Sequence, residues 1–218
     1  MKTMTGSERT EPLRGLAPLD VRGARFLVLG SFPSVLSLEK SEYYGHPRNH
    51  FWPLMATIAA SRDKGEPRRD GGAKESGGFE DGRPSLAKAP PDWPSRVSLA
   101  ARLGVAIWDL VASCERGGSL DVAIRGAVLN EVDGFVASRP TIGVILLNGG
   151  AAATYFARRF APKSGLDSSA FGEMRGISLG GRELLACRLP STSPVPTRRF
   201  RTAADKLLLW EKSLLYSS

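Results

Sequence analysis

Histidine and cysteine are scarce in this 218-residue chain, two of each, and no run of apolar residues is long. Each scarcity removes a class of function. Cys114 and Cys187 stand apart, outside any Cys-x-x-Cys pair, so they offer neither a disulfide framework nor the four thiolates of an iron–sulfur site. Two histidines fall short of the three protein ligands that a catalytic zinc normally takes, and no carboxylate near them has ligand-like spacing. No metal and no cofactor is therefore expected. No window reaches the length of a membrane span, and the opening MKTMTGSERTEPLRG lacks the apolar core of a signal peptide. The expectation is a cytoplasmic protein, away from membranes and working as a monomer.

What the chain has in excess is positive charge. Thirty basic against 22 acidic side chains leave a net charge of +8, so a polyanion such as DNA is a natural partner. The hydrophobic fraction, 42%, is that of an ordinary globular protein, and the length suits one core and one domain.

Four short apolar runs have the form of buried parallel strands that feed loops: RFLVLG (Arg25 to Gly30), VAIWDL (Val105 to Leu110), TIGVILLNGG (Thr141 to Gly150) and LLACRLP (Leu184 to Pro190). Helical patterns fill the gaps, as FWPLMATIAA, SRVSLAARLG and AAATYFARRF. A last helix from about Arg199 to Tyr216 would place Phe200, Ala204, Leu207, Leu208, Leu214 and Leu215 on one face. Strands alternating with helices predict an α/β fold, a three-layer α/β/α sandwich around a central, mostly parallel four-stranded sheet. Its ligands should sit beyond the C-terminal ends of the strands. Residues 1–20 read as a flexible segment ahead of a single domain over 21–218. Within that domain, 61–92 is a Gly-, Pro- and charge-rich insertion, nearly free of large apolar residues and expected to be mobile.

The strand ends supply the candidates. After the first comes GSFPS, where Gly30, Ser31, Phe32, Pro33 and Ser34 make a tight turn whose backbone N–H groups can face a ligand. Next, YYGHPRNHFW holds both histidines. His46 can brace the loop around Pro47, His50 falls on a solvated first helical turn, and Asn49 stands where a helix N-cap belongs. Asp109 ends the second strand, either as a catalytic carboxylate or as an acceptor for loop amides. Asn148 ends the third, with a donor and an acceptor suited to the edge of a nucleobase or simply to an Asn-Gly-Gly turn. The fourth is followed by LPSTSPVPTRRFR. Here Ser191, Thr192 and Ser193 offer hydroxyls to phosphate, Pro194 stiffens the loop, and Val195 is an apolar wedge candidate. Arg198, Arg199 and Arg201 would open the next helix. Cations there oppose the helix dipole, a conflict that a bound anion would relieve.

In order and position, GSFPS, HPRNHFW, LLNG and PSTSP resemble the motifs of the uracil-DNA glycosylase superfamily, over most of the chain outside the first twenty residues and the insertion. The first pair resembles the mismatch-specific branch, Gly-x-Asn-Pro-Gly followed by His-Pro-x-Asn-x-Phe-Trp. There are departures. Phe32 stands where most branches carry a water-activating Asp or Asn, Leu189 where the best-known branch has a histidine, and Ser193 and Pro194 near the place of the wedge leucine. The pattern is most similar to the hypoxanthine-DNA glycosylase branch.

That resemblance implies a monofunctional enzyme that flips a deaminated base, preferably hypoxanthine, out of double-stranded DNA and hydrolyses its N-glycosidic bond. Asn49 would be catalytic, orienting water or bonding the departing base, since an amide is not basic enough to take a proton near neutral pH. Tyr44 would stack on the base, Asn148 read its edge, and His46 shape the loop, with residues 30–34 completing the pocket. Residues 191–195 and the three arginines would grip the DNA, and Asp109 is a secondary candidate. No lysine stands in a motif, which argues against a Schiff-base lyase. Uracil or a G:T or G:U mismatch is the alternative substrate. A catalytically silent DNA binder and a small-molecule hydrolase are the readings of other classes.

Overall fold

In the computed structural model, residues 11–63, 79–80 and 83–216 are described; the expected insertion falls largely on 64–78 and 81–82, outside them. In chain order the elements are β1 (Leu13–Arg14), β2 (Phe26–Gly30), α1 (Val35–Lys40), α2 (Phe51–Asp63), β3 (Phe79–Glu80), β4 (Arg83–Pro84), α3 (Trp93–Leu103), β5 (Val105–Asp109) and β6 (Val111–Glu115). There follow β7 (Arg125–Leu129), α4 (Val132–Ala137), β8 (Val144–Asn148), α5 (Gly150–Phe160), β9 (Arg175–Leu179), β10 (Arg182–Leu189) and α6 (Ala204–Leu214).

The central sheet runs β5-β2-β8-β10-β9. Its first four strands are the four apolar runs and are mutually parallel, as their burial on both faces requires. The fifth, β9, is one more than the sequence predicts and is antiparallel. It joins β10 through Gly180 and Gly181, both at positive φ, a two-residue hairpin turn that glycine favours. Helix α2 contacts both α3 and α6. The chain steps from β2 to β5 in one direction but from β5 to β8 and on to β10 in the other, so right-handed crossovers carry α4 and α5 to the opposite face. The result is the three-layer α/β/α sandwich.

A second, three-stranded antiparallel sheet, β1-β6-β7, continues beyond the end of β5. Residues 11–20, expected to be loose, help to build it. Gly15 N–H donates to Ala112 O at 2.8 Å, Leu19 and Ile107 exchange two backbone bonds, and the Trp108 indole donates to Leu16 O at 3.2 Å. Backbone bonds to the two sheets hold the segment, and Leu13, Leu16 and Leu19 pack against the cores beneath it.

Helix α6 begins later than the sequence predicts. Thr197 bonds to Phe200 through both backbone and side chain, and Asp205 Oδ2 accepts from Arg201 and Thr202 N–H at 2.8 Å, so the chain before Ala204 is a loop. Leu208 and Leu215, placed on the buried face by the earlier start, are exposed, whereas Leu207, Trp210 and Leu214 are buried.

Pairing register levels the strand ends. Gly30 lies opposite Asp109, Leu29 opposite Leu147, and Leu189 opposite Asn148. Since the chain leaves β2 and β8 in opposite directions, the crevice between their C-terminal ends is the topological switch point, where an open α/β sheet places its ligand.

Candidate active site and nucleic-acid interface

The residues around this crevice form one bonded network. Asn148, at the tip of β8, donates through Nδ2 to Tyr44 Oη and to Thr192 Oγ1, each at 3.0 Å, and its Oδ1 accepts from Thr192 N–H at 2.9 Å. Thr192, wholly buried, passes the connection on through its carbonyl, which accepts from His50 N–H at 2.9 Å. Asn49 stands next to that bond, and its Oδ1 accepts from Phe51 N–H at 2.9 Å to secure the entry into α2. Three segments far apart in sequence, 44–50, 148 and 191–193, thus meet within a few hydrogen bonds. Gly149 makes the approach feasible: at φ +102° it takes a conformation natural to glycine, and a Cβ there would lie 2.9 Å from Ser191 Cβ.

Tyr44 is held in an unusual state. Its φ of 55° is left-handed, a conformation that costs a non-glycine residue roughly 1–3 kcal/mol. Stacking on Phe51, centroids 4.0 Å apart, returns about 0.5–1.5 kcal/mol, and the bond from Asn148 adds to it. Burial, and then the nearby Asp109 carboxyl, push its hydroxyl to ionise well above the usual range. It therefore stays a phenol. His46 braces the turn behind it, accepting from Arg48 N–H at Nδ1 and from Asn49 N–H at its carbonyl.

The 30–34 turn is built into a different set of contacts. Phe32, assigned to the base pocket from its motif position, is a core residue of the smaller sheet, packed with Val111, Cys114 and Ile124 beneath the Arg116 guanidinium. Ser31 Oγ donates to Asp121 Oδ1 at 2.5 Å, Pro33 O accepts from Arg116, and Ser34 caps α1 by accepting from Ser37 N–H. Under the turn lies Asp109, only 4% exposed, with Oδ2 buried and without a hydrogen-bond partner. Burial, then repulsion from Asp121, drive its pKa up to about 7, against the pull of Arg116. Gly30 is obligatory beside it, because a Cβ there would fall 2.2 Å from Asp109 Oδ1.

On the far side of the crevice the 189–195 loop is anchored from below. Trp210 Nε1 donates to Pro190 O at 3.0 Å, and Lys206 Nζ donates to Ser193 O at 2.9 Å. Val195 at the tip is 54% exposed, and Arg198, Arg199 and Arg201 are exposed as well. These arginines precede α6 instead of opening it, so they do not oppose its dipole.

Lys206, Arg116 and Asp121 are site residues that the motifs do not announce. His50 differs too: it is half-buried, with Nδ1 3.1 Å from Lys206 Nζ, and burial and that neighbouring cation lower its pKa. A lysine on the apolar face of a helix, four residues before Trp210, was the signal available for Lys206. Among the described residues no group of three or more His, Cys, Asp or Glu side chains could hold a metal, and no helix is long and apolar enough to cross a membrane.

No family model matches the chain. A solution NMR structure from Methanosarcina acetivorans, provisionally assigned as a uracil DNA glycosylase, superposes with a TM-score of 0.59 over 93% of this chain and 98% of that one, at 21% identity. The chain has the uracil-DNA glycosylase fold. In sequence it is similar to two curated relatives, each a hypoxanthine DNA glycosylase. The Methanosarcina barkeri protein is 25% identical over 136 residues, which are 62% of this chain and 70% of the relative. The Methanosarcina acetivorans protein is 26% identical over 142 residues, 65% and 74% of the two chains. The resemblance to the uracil-DNA glycosylase superfamily, and within it to the hypoxanthine branch, thus holds beyond the motifs.

Proposed function

We propose that the protein is a monofunctional DNA glycosylase that flips hypoxanthine out of double-stranded DNA and hydrolyses its N-glycosidic bond, leaving an abasic site for base-excision repair. The observation that carries this reading is the Asn148–Thr192–His50 network, which joins the base-reading strand end, the DNA loop and the HPRNH turn at the switch point. The protein acts as a cytoplasmic monomer on DNA.

Phe51 covers one face of the Tyr44 ring, and the flipped base stacks on the other. Hypoxanthine presents N1–H and O6. Asn148 Oδ1 keeps a lone pair for N1–H, and Nδ2 exchanges its bond to Tyr44 Oη for one to O6. Uracil offers the same donor–acceptor pair, so Asn148 alone does not separate the two; ring size and the weak pairing of the lesion do. Asn49 Oδ1 is tied to the helix, which leaves its amide N–H groups to orient water or bond the departing base as the sugar gains oxocarbenium character. Val195 enters the duplex while Ser191, Ser193 and the arginines hold phosphates; Thr192, expected to do the same, is wholly buried and bonded to Asn148, so it sets the loop instead. Lys206, the lysine at the site, is buried and bonded to two acceptors, so it is not presented as a Schiff-base nucleophile.

The test is base release from duplexes that carry one deoxyinosine, deoxyuridine, deoxyxanthosine or mismatched thymidine, with chelator present, scored by alkaline cleavage. Release chiefly from deoxyinosine is expected. Asn49→Ala should abolish it, by two orders of magnitude or so, while DNA affinity changes little. Release chiefly from uracil or thymine would reassign the substrate. No release from any duplex would leave a silent DNA binder, and affinity without steep salt dependence would exclude DNA altogether.

A further inference from the structure

Lys206 is 2% exposed, yet it carries an ammonium group. Burial lowers its pKa only to about 8, with Asp205 opposing the fall, so the group is still mostly charged at neutral pH. A buried cation is costly unless its protons are bonded, and a well-packed apolar side chain in its place is often as stable or more so. Fold stability alone thus gives little reason for lysine here. Its two contacts come from different segments: the Ser193 carbonyl of the 189–195 loop at 2.9 Å and the His50 ring at the start of α2 at 3.1 Å. Trp210, one turn further along the same face of α6, bonds the Pro190 carbonyl at the root of the same loop. Among the described residues the titratable groups facing the ammonium are His50, just before α2, and Asp205 from its own helix; the loop contributes a carbonyl.

We propose that Lys206 is a positioning residue whose ammonium locks the 189–195 loop to the HPRNH turn, fixing the spacing between the DNA clamp and Asn49. With the charge in place His50 stays neutral and accepts at Nδ1, so the bond has one sense. The loop is then set before DNA arrives, and its ordering cost is not charged against binding. The catalytic part of this inference rests on the glycosylase reading; the locking part does not.

The experiment compares the full-length protein with Lys206→Met and Lys206→Gln. Backbone hydrogen exchange without DNA comes first. In Lys206→Met the amides of Thr192, Ser193 and Val195 should exchange about tenfold faster, with those of β2 and β8 unchanged. Single-turnover base release at saturating DNA should fall by up to about a hundredfold, more than the affinity falls, because a small misplacement is felt most in the chemical step. Lys206→Gln keeps an N–H donor and should lie between, and it takes over the comparison should the Met variant not fold. Unchanged loop exchange in a folded variant overturns the proposal, as does acceleration spread evenly over the whole sheet. A wild-type protein that releases no base refutes the glycosylase reading instead, and the exchange data still decide whether the loop is locked.

Discussion

Asp109 shows how far a single side chain can depart from its free chemistry. Its carboxyl rises from 3.8 to about 7 because it is buried before it is paired. The folded state therefore holds the proton more tightly than the unfolded one. The stabilising contribution is complete below pH 4 and is lost as pH climbs to about 7. Asp109→Asn, neutral at every pH, should be more stable than wild type at pH 8 by up to about 4 kcal/mol, seen as a higher melting temperature. The advantage should shrink towards pH 5. A difference in melting temperature that stays constant across that range would refute the protonated state. At this scale the sequence was readable where a residue lies inside a short motif: Asn49, Tyr44 and Asn148 do converge. Arg116, Asp121 and Lys206 were not, since their partners Phe32, Ser31 and His50 lie far along the chain and only the packed sheet brings them together.

Among elements, the buried parallel strands announced themselves because both faces are apolar and each ends at a residue that suits a loop. The helices between them were equally plain. Helix α3 shows every boundary signal: Asp92 Oδ1 accepts from Ser95 N–H at 2.8 Å, Pro94 lies in the first turn, and Gly104 closes it at φ 68°. Asp92→Ala should lower the denaturant midpoint of unfolding by removing this cap, with Asp92→Asn, which keeps the acceptor, close to wild type. Strands β6 and β7 escaped notice because they are short, only partly buried and shifted in register, with no clean alternation to read. The β9–β10 hairpin was legible in principle from Gly-Gly between two alternating runs. The start of α6 was misplaced because Asp205, an acceptor for the N–H groups of Arg201 and Thr202, outweighs the apolar pattern.

For the molecule as a whole, the layers, the polarity of the sheet and the location of the crevice all follow from one rule about parallel strands and their crossovers. What composition hid was the use of the first described residues. With its leucines spaced singly between prolines, glycine and charges, the stretch reads as a tail, yet it lies along the outer side of β5, where Leu19 and Ile107 exchange 2.8 and 3.1 Å bonds. Without it β5 would present unpaired N–H and C=O groups to solvent, a template on which a second molecule could add a strand. A chain shortened to begin at residue 21 should therefore self-associate, visible as a mass above that of a monomer in light scattering, whereas the full chain stays single. On that outcome residues 11–20 would be a shield that keeps the open edge of one molecule's sheet from another's.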